Sequence, residues 1–236
     1  MKLKILGNNG PYPAAKGACS AYLLESASGN TRILIECGTG MLAALQAQCS
    51  FDALSAVILS HLHFDHMSDS LPMQYALQFH PRNPLPLYAP ENPAPVRSLL
   101  NAPCYENHPM QDCEIGEMKI RFLSVRHPVE TYAMRIECDG RVFVYTGDTN
   151  EMEGLSAFAQ DADLLLADAG LSNEHWNPNA PHLSAEGCGK LAAEARAKRL
   201  LLTHLNPRYI PEQLVNEART AFTGCEFAMA GCTYEI

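Results

Sequence analysis

The sequence predicts an α/β protein and, within that class, a four-layer αββα sandwich: two sheets packed face to face with helices outside. Two observations point there. Apolar strand-like runs cluster in each half of the chain with helical segments interleaved, and the order partly repeats in the second half. Histidine and aspartate residues follow several of those runs directly, as they would if strand ends delivered ligands to one edge. Residues 1–236 read as a single domain, without repeat, linker or low-complexity tract.

The strand-like runs are Leu3–Leu6, Ala21–Glu25, Arg32–Glu36, Ala56–Leu59, Leu85–Tyr88, Lys119–Ser124, Tyr132–Glu137, Arg141–Tyr145, Leu164–Ala167, Leu200–Thr203 and Glu226–Ala228. The first breaks at Gly7-Asn8-Asn9-Gly10, too early for a signal-peptide core and better read as a strand entering a turn. Asp139-Gly140 separates two of the runs as a turn. Helical patterns cover Gly40–Gln48, Asp69–Phe79, Pro93–Leu100, Met152–Gln160, Ala185–Ala197 and Pro211–Phe222. Ser184 suits the N-cap of the fifth of these, and Arg196-Ala197-Lys198-Arg199 suits its C-terminal turn, where cations offset the helix dipole.

Composition narrows the function classes. A hydrophobic fraction of 47% and a charged fraction of 18% describe a globular chain, and no apolar run is long enough to span a bilayer. The formal charge is −9, from 26 acidic and 17 basic residues, with no Lys/Arg run of the kind a general nucleic-acid binder carries. Nine cysteines occur at scattered spacings without a CxxC pair, and Cys37 and Cys138 sit in apolar runs. That pattern predicts reduced thiols and a cytoplasmic protein.

The chemistry concentrates in His61-Leu62-His63-Phe64-Asp65-His66, directly after Ala56–Leu59. In extended chain alternate residues share a face, so His61, His63 and Asp65 are expected to converge while His66 turns away. Imidazole and carboxylate suit Zn²⁺, Mn²⁺ or Fe. His127, Asp148 and His204 each follow a further strand-like run and complete the candidate set.

On these residues the chain resembles the metallo-β-lactamase superfamily over nearly its whole length. The resemblance implies the metallo-β-lactamase fold and two divalent ions, Zn²⁺ first and Mn or Fe as alternatives. One would be held by His61, His63 and His127, the other by Asp65, His66 and His204, with Asp148 bridging. Aspartate at 148, where true β-lactamases carry cysteine, points to the esterase and phosphodiesterase branches. The segment from Pro181 to Tyr209 is similar to the ribonuclease Z-like branch, through His182 with Ser184-Ala185 and through Thr203, His204, Arg208 and Tyr209.

Phosphodiester hydrolysis gives these residues roles. A hydroxide held between the metals would attack, Asp65 would orient it and take its proton, Arg208 would bind a phosphoryl oxygen, and His182 would protonate the leaving alkoxide. The plainer readings are a helix start for His182 and a surface ion pair for Arg208. Asp168 at a strand end would support His182 or a ligating histidine, or be simply a buried, hydrogen-bonded carboxylate. His175 and Trp176 lie in the long loop Gly170–Pro181, a candidate substrate lid. Cys104, His108 and Cys113 match no common zinc spacing, and His80 and His108 read as surface or helix-end residues. Ribonucleases of this branch insert a tRNA-binding arm between the equivalents of His127 and Asp148. Here only residues 128–147 lie there, so the arm is absent. The expected substrate is therefore a small phosphodiester, with a carboxylic ester, thioester or lactone, or RNA processing, as alternatives. Neither nucleic acid nor membrane is an expected partner, and a homodimer is left open.

Overall fold

A computed structural model describes residues 1–79 and 84–236. Strands β1 (Lys2–Gly7), β2 (Ala21–Glu25), β3 (Arg32–Ile35), β4 (Ala56–Ile58), β5 (Leu85–Tyr88) and β6 (Tyr105–His108) come first. There follow β7 (Cys113–Ile115), β8 (Met118–Ser124), β9 (Tyr132–Cys138), β10 (Arg141–Tyr145), β11 (Leu164–Asp168), β12 (Leu200–Thr203), β13 (Cys225–Phe227) and β14 (Thr233–Glu235). They make two seven-stranded sheets, ordered β14-β1-β2-β3-β4-β5-β6 and β13-β12-β11-β10-β9-β8-β7. The helices are α1 (Met41–Gln46), α2 (Phe64–Met67), α3 (Ser70–Gln78), α4 (Ala94–Arg97), α5 (Leu155–Phe158), α6 (Ala185–Glu194) and α7 (Pro211–Arg219). The architecture is the predicted sandwich of two mixed sheets flanked by helices.

Alternation along each strand builds three apolar layers. Ile33, Ile35, Ile58, Ile136, Phe143, Leu164, Leu166 and Leu201 meet between the sheets. The intervening Leu165, Ala167, Leu200 and Leu202 turn outward against Leu191 of α6 and Leu214 of α7. Leu34, Val57 and Leu59 turn outward with Met41, Leu45 and Met73 of α1 and α3. Strands covered on both faces read as unbroken apolar runs, which is why Leu164–Ala167 and Leu200–Thr203 were conspicuous in sequence. Each fully buried Leu or Ile contributes about 1.5–3 kcal/mol relative to exposure.

Strand direction then sets where the chemistry goes. β3 and β4 pair in parallel, as do β10 with β11 and β11 with β12. β8 is antiparallel to β9 and β9 to β10, so β8 and β10 run the same way. The carboxyl ends of β3 and β4 in one sheet, and of β8, β10, β11 and β12 in the other, therefore open on common edges. The β9–β10 hairpin turns at Asp139-Gly140, both at positive φ (55° and 69°), the two-residue turn that suits twisted strands. It occupies the place where an arm would be inserted.

The sequence pattern missed β6, β7, β14 and the single turn α2, and gave α5 as Met152–Gln160 where only Leu155–Phe158 is helical. Among the described residues no helix is long and apolar enough to cross a membrane.

One polar contact ties the second sheet together away from the edge. Asp163, almost fully buried, accepts from the Val142 amide at 2.8 Å and pairs with Lys198 at 2.7 Å and Arg141 at 3.0 Å. Burial works against its charge, but the Lys198 hydrogen bond and these other donors hold its pKa below the ordinary value. A depressed folded-state pKa stabilises the fold above the unfolded value, about 3.9, and that stabilisation is lost as pH falls further. Asp163→Asn should therefore cost about 1–3 kcal/mol at neutral pH. In denaturant unfolding across pH, its deficit relative to wild type should shrink below pH ~4. A pH-independent deficit would show that the charge of Asp163 is not what matters.

Candidate metal centre

β4 ends at Ile58, and Leu59-Ser60 carries the chain to His61 without leaving the interior: Ser60 and His61 are both fully buried. The Ser60 amide donates to Glu36 and the Ser60 hydroxyl contacts His61 Nδ1 at 2.9 Å. His61 Nε2 then lies 3.1 Å from His63 Nδ1, and His63 Nδ1 lies 3.1 Å from His127 Nε2. His127 Nδ1 donates to the Pro181 carbonyl at 3.0 Å, which leaves its Nε2 a bare lone pair facing the group.

The expectation that His61, His63 and Asp65 share a face is corrected. The chain coils into α2 at Phe64, so Asp65 swings away to meet His204 Nε2 at 3.1 Å and His66 Nε2 at 3.5 Å. His66 does not turn outward. It is fully buried, with its ring 4.1 Å from that of His61. Among four groups whose ligand atoms lie within 4.8 Å of one another are His61-His63-His127 and Asp65-His66-His204; the others join Glu36 to His61 and His66, and Asp148 to Asp168, His182 and His204. Asp148, just past β10, lies between the first two. Its Oδ2 is 3.7 Å from His61 Nε2, 3.3 Å from His66 Nε2 and 3.2 Å from His204 Nε2.

These contacts fit metal ions better than they fit hydrogen bonds. One proton on His63 Nδ1 can satisfy only one of its two imidazole neighbours. Ligands on a tetrahedral ion with ~2.0–2.1 Å bonds stand about 3.3 Å apart, close to the nitrogen spacing here. His66 Nε2 and Asp148 Oδ1 are buried without a hydrogen-bond partner. Asp148, Asp168 and Glu36 are all buried carboxylates, and among the described residues no Lys or Arg pairs with them. Burial lowers the pKa values of His61, His63 and His127, keeping them neutral, the form that ligates. Burial also opposes charge on His66, but Asp148 and Glu36 outweigh it and raise its pKa, a sign of how strongly this spot favours a cation.

Asp168, at the end of β11, is fully buried and accepts from His182 Nδ1 at 2.8 Å, the Thr149 amide at 3.1 Å and the Gly170 amide at 2.9 Å. It also lies 3.5 Å from His204 Nδ1, so it serves His182 and a ligand-group histidine together. His182 is 17% exposed, stacks on His204 at 4.8 Å, and is not the helix cap; Ser184 is, accepting from the Gly187 amide. Burial pulls the His182 pKa down, but the Asp168 carboxylate and its hydrogen bond raise it to about 9. Arg208 is exposed, lies over the Tyr209 ring at 5.5 Å, and has no ion pair among the described residues. His175 contacts Ser172 and the Tyr209 ring rather than the ligand groups. Cys104, His108 and Cys113 form no metal-ligating group among the described residues; His108 stacks on Tyr88. His80 lies outside the described residues.

A family model described as the Beta-lactamase superfamily domain matches residues 31–205, which include both histidine groups and Asp148. The chain belongs to the metallo-β-lactamase superfamily. It is 34% identical to the probable metallo-hydrolase YhfI of Bacillus subtilis, over 100% of both chains. The YhfI crystal structure superposes with a TM-score of 0.94 at 33% identity, covering 100% of this chain and 99% of that one. The short form of human tRNase Z (TM-score 0.82, 18% identity, 100% and 99% covered) and a diphosphatase of the PhnP family (0.79, 17%, 100% and 97%) share the fold. This superfamily member is a metallo-hydrolase, and divalent metal binding comes with that membership.

Two neighbours of the site escaped the sequence reading. Glu36, at the end of β3, is fully buried at positive φ (63°) with Oε1 3.3 Å from His66 Nδ1. It fixes the ring as partners of ligating histidines do. A carboxylate at a strand end was the available signal, but nothing in the sequence links it to His66. Gly10 packs against His204 so closely that a Cβ there would sit 2.0 Å from Nε2. Gly10→Ala should therefore displace the His204 ring and weaken metal binding by about 10–100-fold, the usual cost of disturbing a ligand's support. Competition with a chelator of known affinity measures this. Unchanged affinity in the folded variant would mean that the ring contact does not set the site.

Proposed function

We propose that this metallo-hydrolase is a dinuclear phosphodiesterase acting on a small phosphodiester or nucleotide derivative. The observation that carries the reading is His182. It is held by Asp168 at 2.8 Å and stacked beside the two ligand groups, with one ring nitrogen committed to the carboxylate and the other left for a substrate. Two divalent ions held by His61, His63 and His127 and by Asp65, His66 and His204, with Asp148 between, would lower the pKa of water and offset phosphoryl charge.

The chain's own groups divide the remaining work. As water attacks phosphorus, its proton passes to Asp65. As the phosphorus–oxygen bond to the leaving group breaks, His182 gives its proton to the departing alkoxide. Arg208, exposed and without an ion pair among the described residues, offers a planar fork for a non-bridging oxygen. A fold neighbour described as a diphosphatase supports the reading only as chemistry that the fold can host. The short β9–β10 hairpin and the charge of −9 favour a small substrate over a folded RNA.

Stripping metal with a chelator should abolish turnover, and restoring Zn²⁺ or Mn²⁺ should return it, with two ions bound per folded chain. The loaded protein should hydrolyse bis-p-nitrophenyl phosphate well ahead of p-nitrophenyl acetate. Faster ester or lactone turnover would overturn the phosphodiester reading while leaving the metal centre intact.

His182→Ala separates roles. Loss of a general acid costs about 10²–10⁴-fold where the leaving group is an alkoxide and far less for nitrophenolate, which needs little protonation. The variant should keep its metals, hydrolyse bis-p-nitrophenyl phosphate with a mild defect, and fail on a nucleotide phosphodiester. Equal losses on both substrates would make His182 a positioning group instead.

A further inference from the structure

The segment from Leu171 to Pro181 links Asp168 to His182, both of which lie beside His204, and it is fastened by side chains at several points. Asn150, fully buried two residues after Asp148, fastens the part from Trp176 to Ala180, while Asn173 is tied separately to Glu217 and Glu186. Asn150 Nδ2 donates to the carbonyls of Ala180 at 2.7 Å and Asn177 at 3.2 Å. Its Oδ1 accepts from the Trp176 indole at 2.9 Å and from the Glu151 amide at 2.7 Å. Arg126 donates to the Pro178 carbonyl at 2.7 Å, and His127 donates to the Pro181 carbonyl. The strap is thus tied to the residue before one candidate ligand, to that ligand itself, and to the loop following another.

We propose that Asn150 is a positioning residue that locks this strap to the floor of the metal centre, so that metal occupancy and placement of Trp176 and His182 over the substrate are one coupled event. The physical link is His127. A metal taken on Nε2 commits the proton to Nδ1, the nitrogen that already donates to Pro181, and polarises that N–H. Asn150 transmits the same constraint from the Asp148 loop through its amide, which bonds the strap at Trp176, Asn177 and Ala180. Coupling of this kind is reciprocal: if the ion orders the strap, loosening the strap must weaken the ion by the same factor. The proposal rests on the metal-centre reading, and direct metal analysis of the same samples keeps the two separable.

Trp176 is the only tryptophan in the chain, so its fluorescence reports the strap alone. The experiment titrates Zn²⁺ into metal-free full-length protein and follows acrylamide quenching of that emission, with bound metal counted in parallel. Wild type should become at least about twofold less quenchable as metal binds. Asn150→Asp keeps the acceptor for Trp176 and Glu151 but removes both donors to the strap. It should stay readily quenched with or without metal, bind the same number of ions at saturation, and lose about 10-fold in metal affinity. On substrate it should raise KM or lower kcat together with this loss of protection. Wild-type quenching that ignores bound metal would overturn the coupling without any mutant, and Asn150→Asp matching wild type in quenching and affinity would overturn the role of Asn150. Failure of wild type to bind metal at all would instead remove the metal-centre reading beneath it.

Discussion

A carboxylate cannot stay ionised in a protein interior without compensation, and Asp148 is buried with no Lys or Arg paired to it among the described residues; burial raises its pKa, but His204 and the other neighbouring histidines hold it well below the ordinary value. Stranding such a charge costs several kcal/mol. The compensation here is four imidazoles, those of His61, His66, His182 and His204, within 3.2–3.8 Å. Those rings come from well-separated parts of the chain. Their approach depends on the two sheets presenting strand ends to one place, and buried carboxylates help hold it: Asp168 bonds His182 and lies beside His204, and Glu36 lies beside His66.

Sheet architecture meets that demand because burial on both faces leaves the strands little freedom to slide. A one-residue slip of β11 or β12 would turn Leu164, Leu166 or Leu201 from the inter-sheet layer toward the helices. Register and ligand position are therefore the same constraint. The cost appears at the strand ends, where Glu36 and His204 take positive φ values of 63° and 55°. A non-glycine residue held there costs of order 1–3 kcal/mol, tolerable only where surrounding contacts over-determine it. For His204 those contacts include Gly10 against one face of the ring and His182 stacked on it.

This division explains what the sequence revealed. The long apolar strands and the clustered ligands that follow them were legible because both arise from local pattern: continuous runs signal two-sided burial, and a run ending in His or Asp signals an edge. The edge strands β6, β7 and β14 were not. They are three or four residues long, half exposed, and written Tyr-Glu-Asn-His, Cys-Glu-Ile and Thr-Tyr-Glu, with too little alternation to declare themselves. The extended-face reading of His61, His63 and Asp65 failed for a different reason, although the two ligand sets implied by the resemblance are the ones the structure brings together. Extended geometry was carried too far, and the helical turn beginning at Phe64 takes Asp65 off the His61-His63 face to join His66 and His204. Glu36, Gly10 and Asn150 were invisible because each acts through a tertiary contact, and their own neighbours in sequence give no hint of it.

The last consequence concerns how one residue type is made to do different work. His61, His63 and His127 face one another, so burial and mutual repulsion both disfavour a proton, and each is left with a lone pair to offer. His182, less than 6 Å from His127 between ring centres, is turned onto Asp168 and keeps its proton. The difference is not made by exposure, since His182 is also largely buried. It is made by whether a carboxylate bonds the ring directly, as Asp168 does His182, or the ring faces other imidazoles. Moving Asp168 away would leave His182 one more neutral ring at the rim of the cluster. Acid and ligand are thus distinguished by a single carboxylate at the end of β11, whose Oδ2 holds His182 and accepts from the Thr149 amide while its Oδ1 accepts from the Gly170 amide.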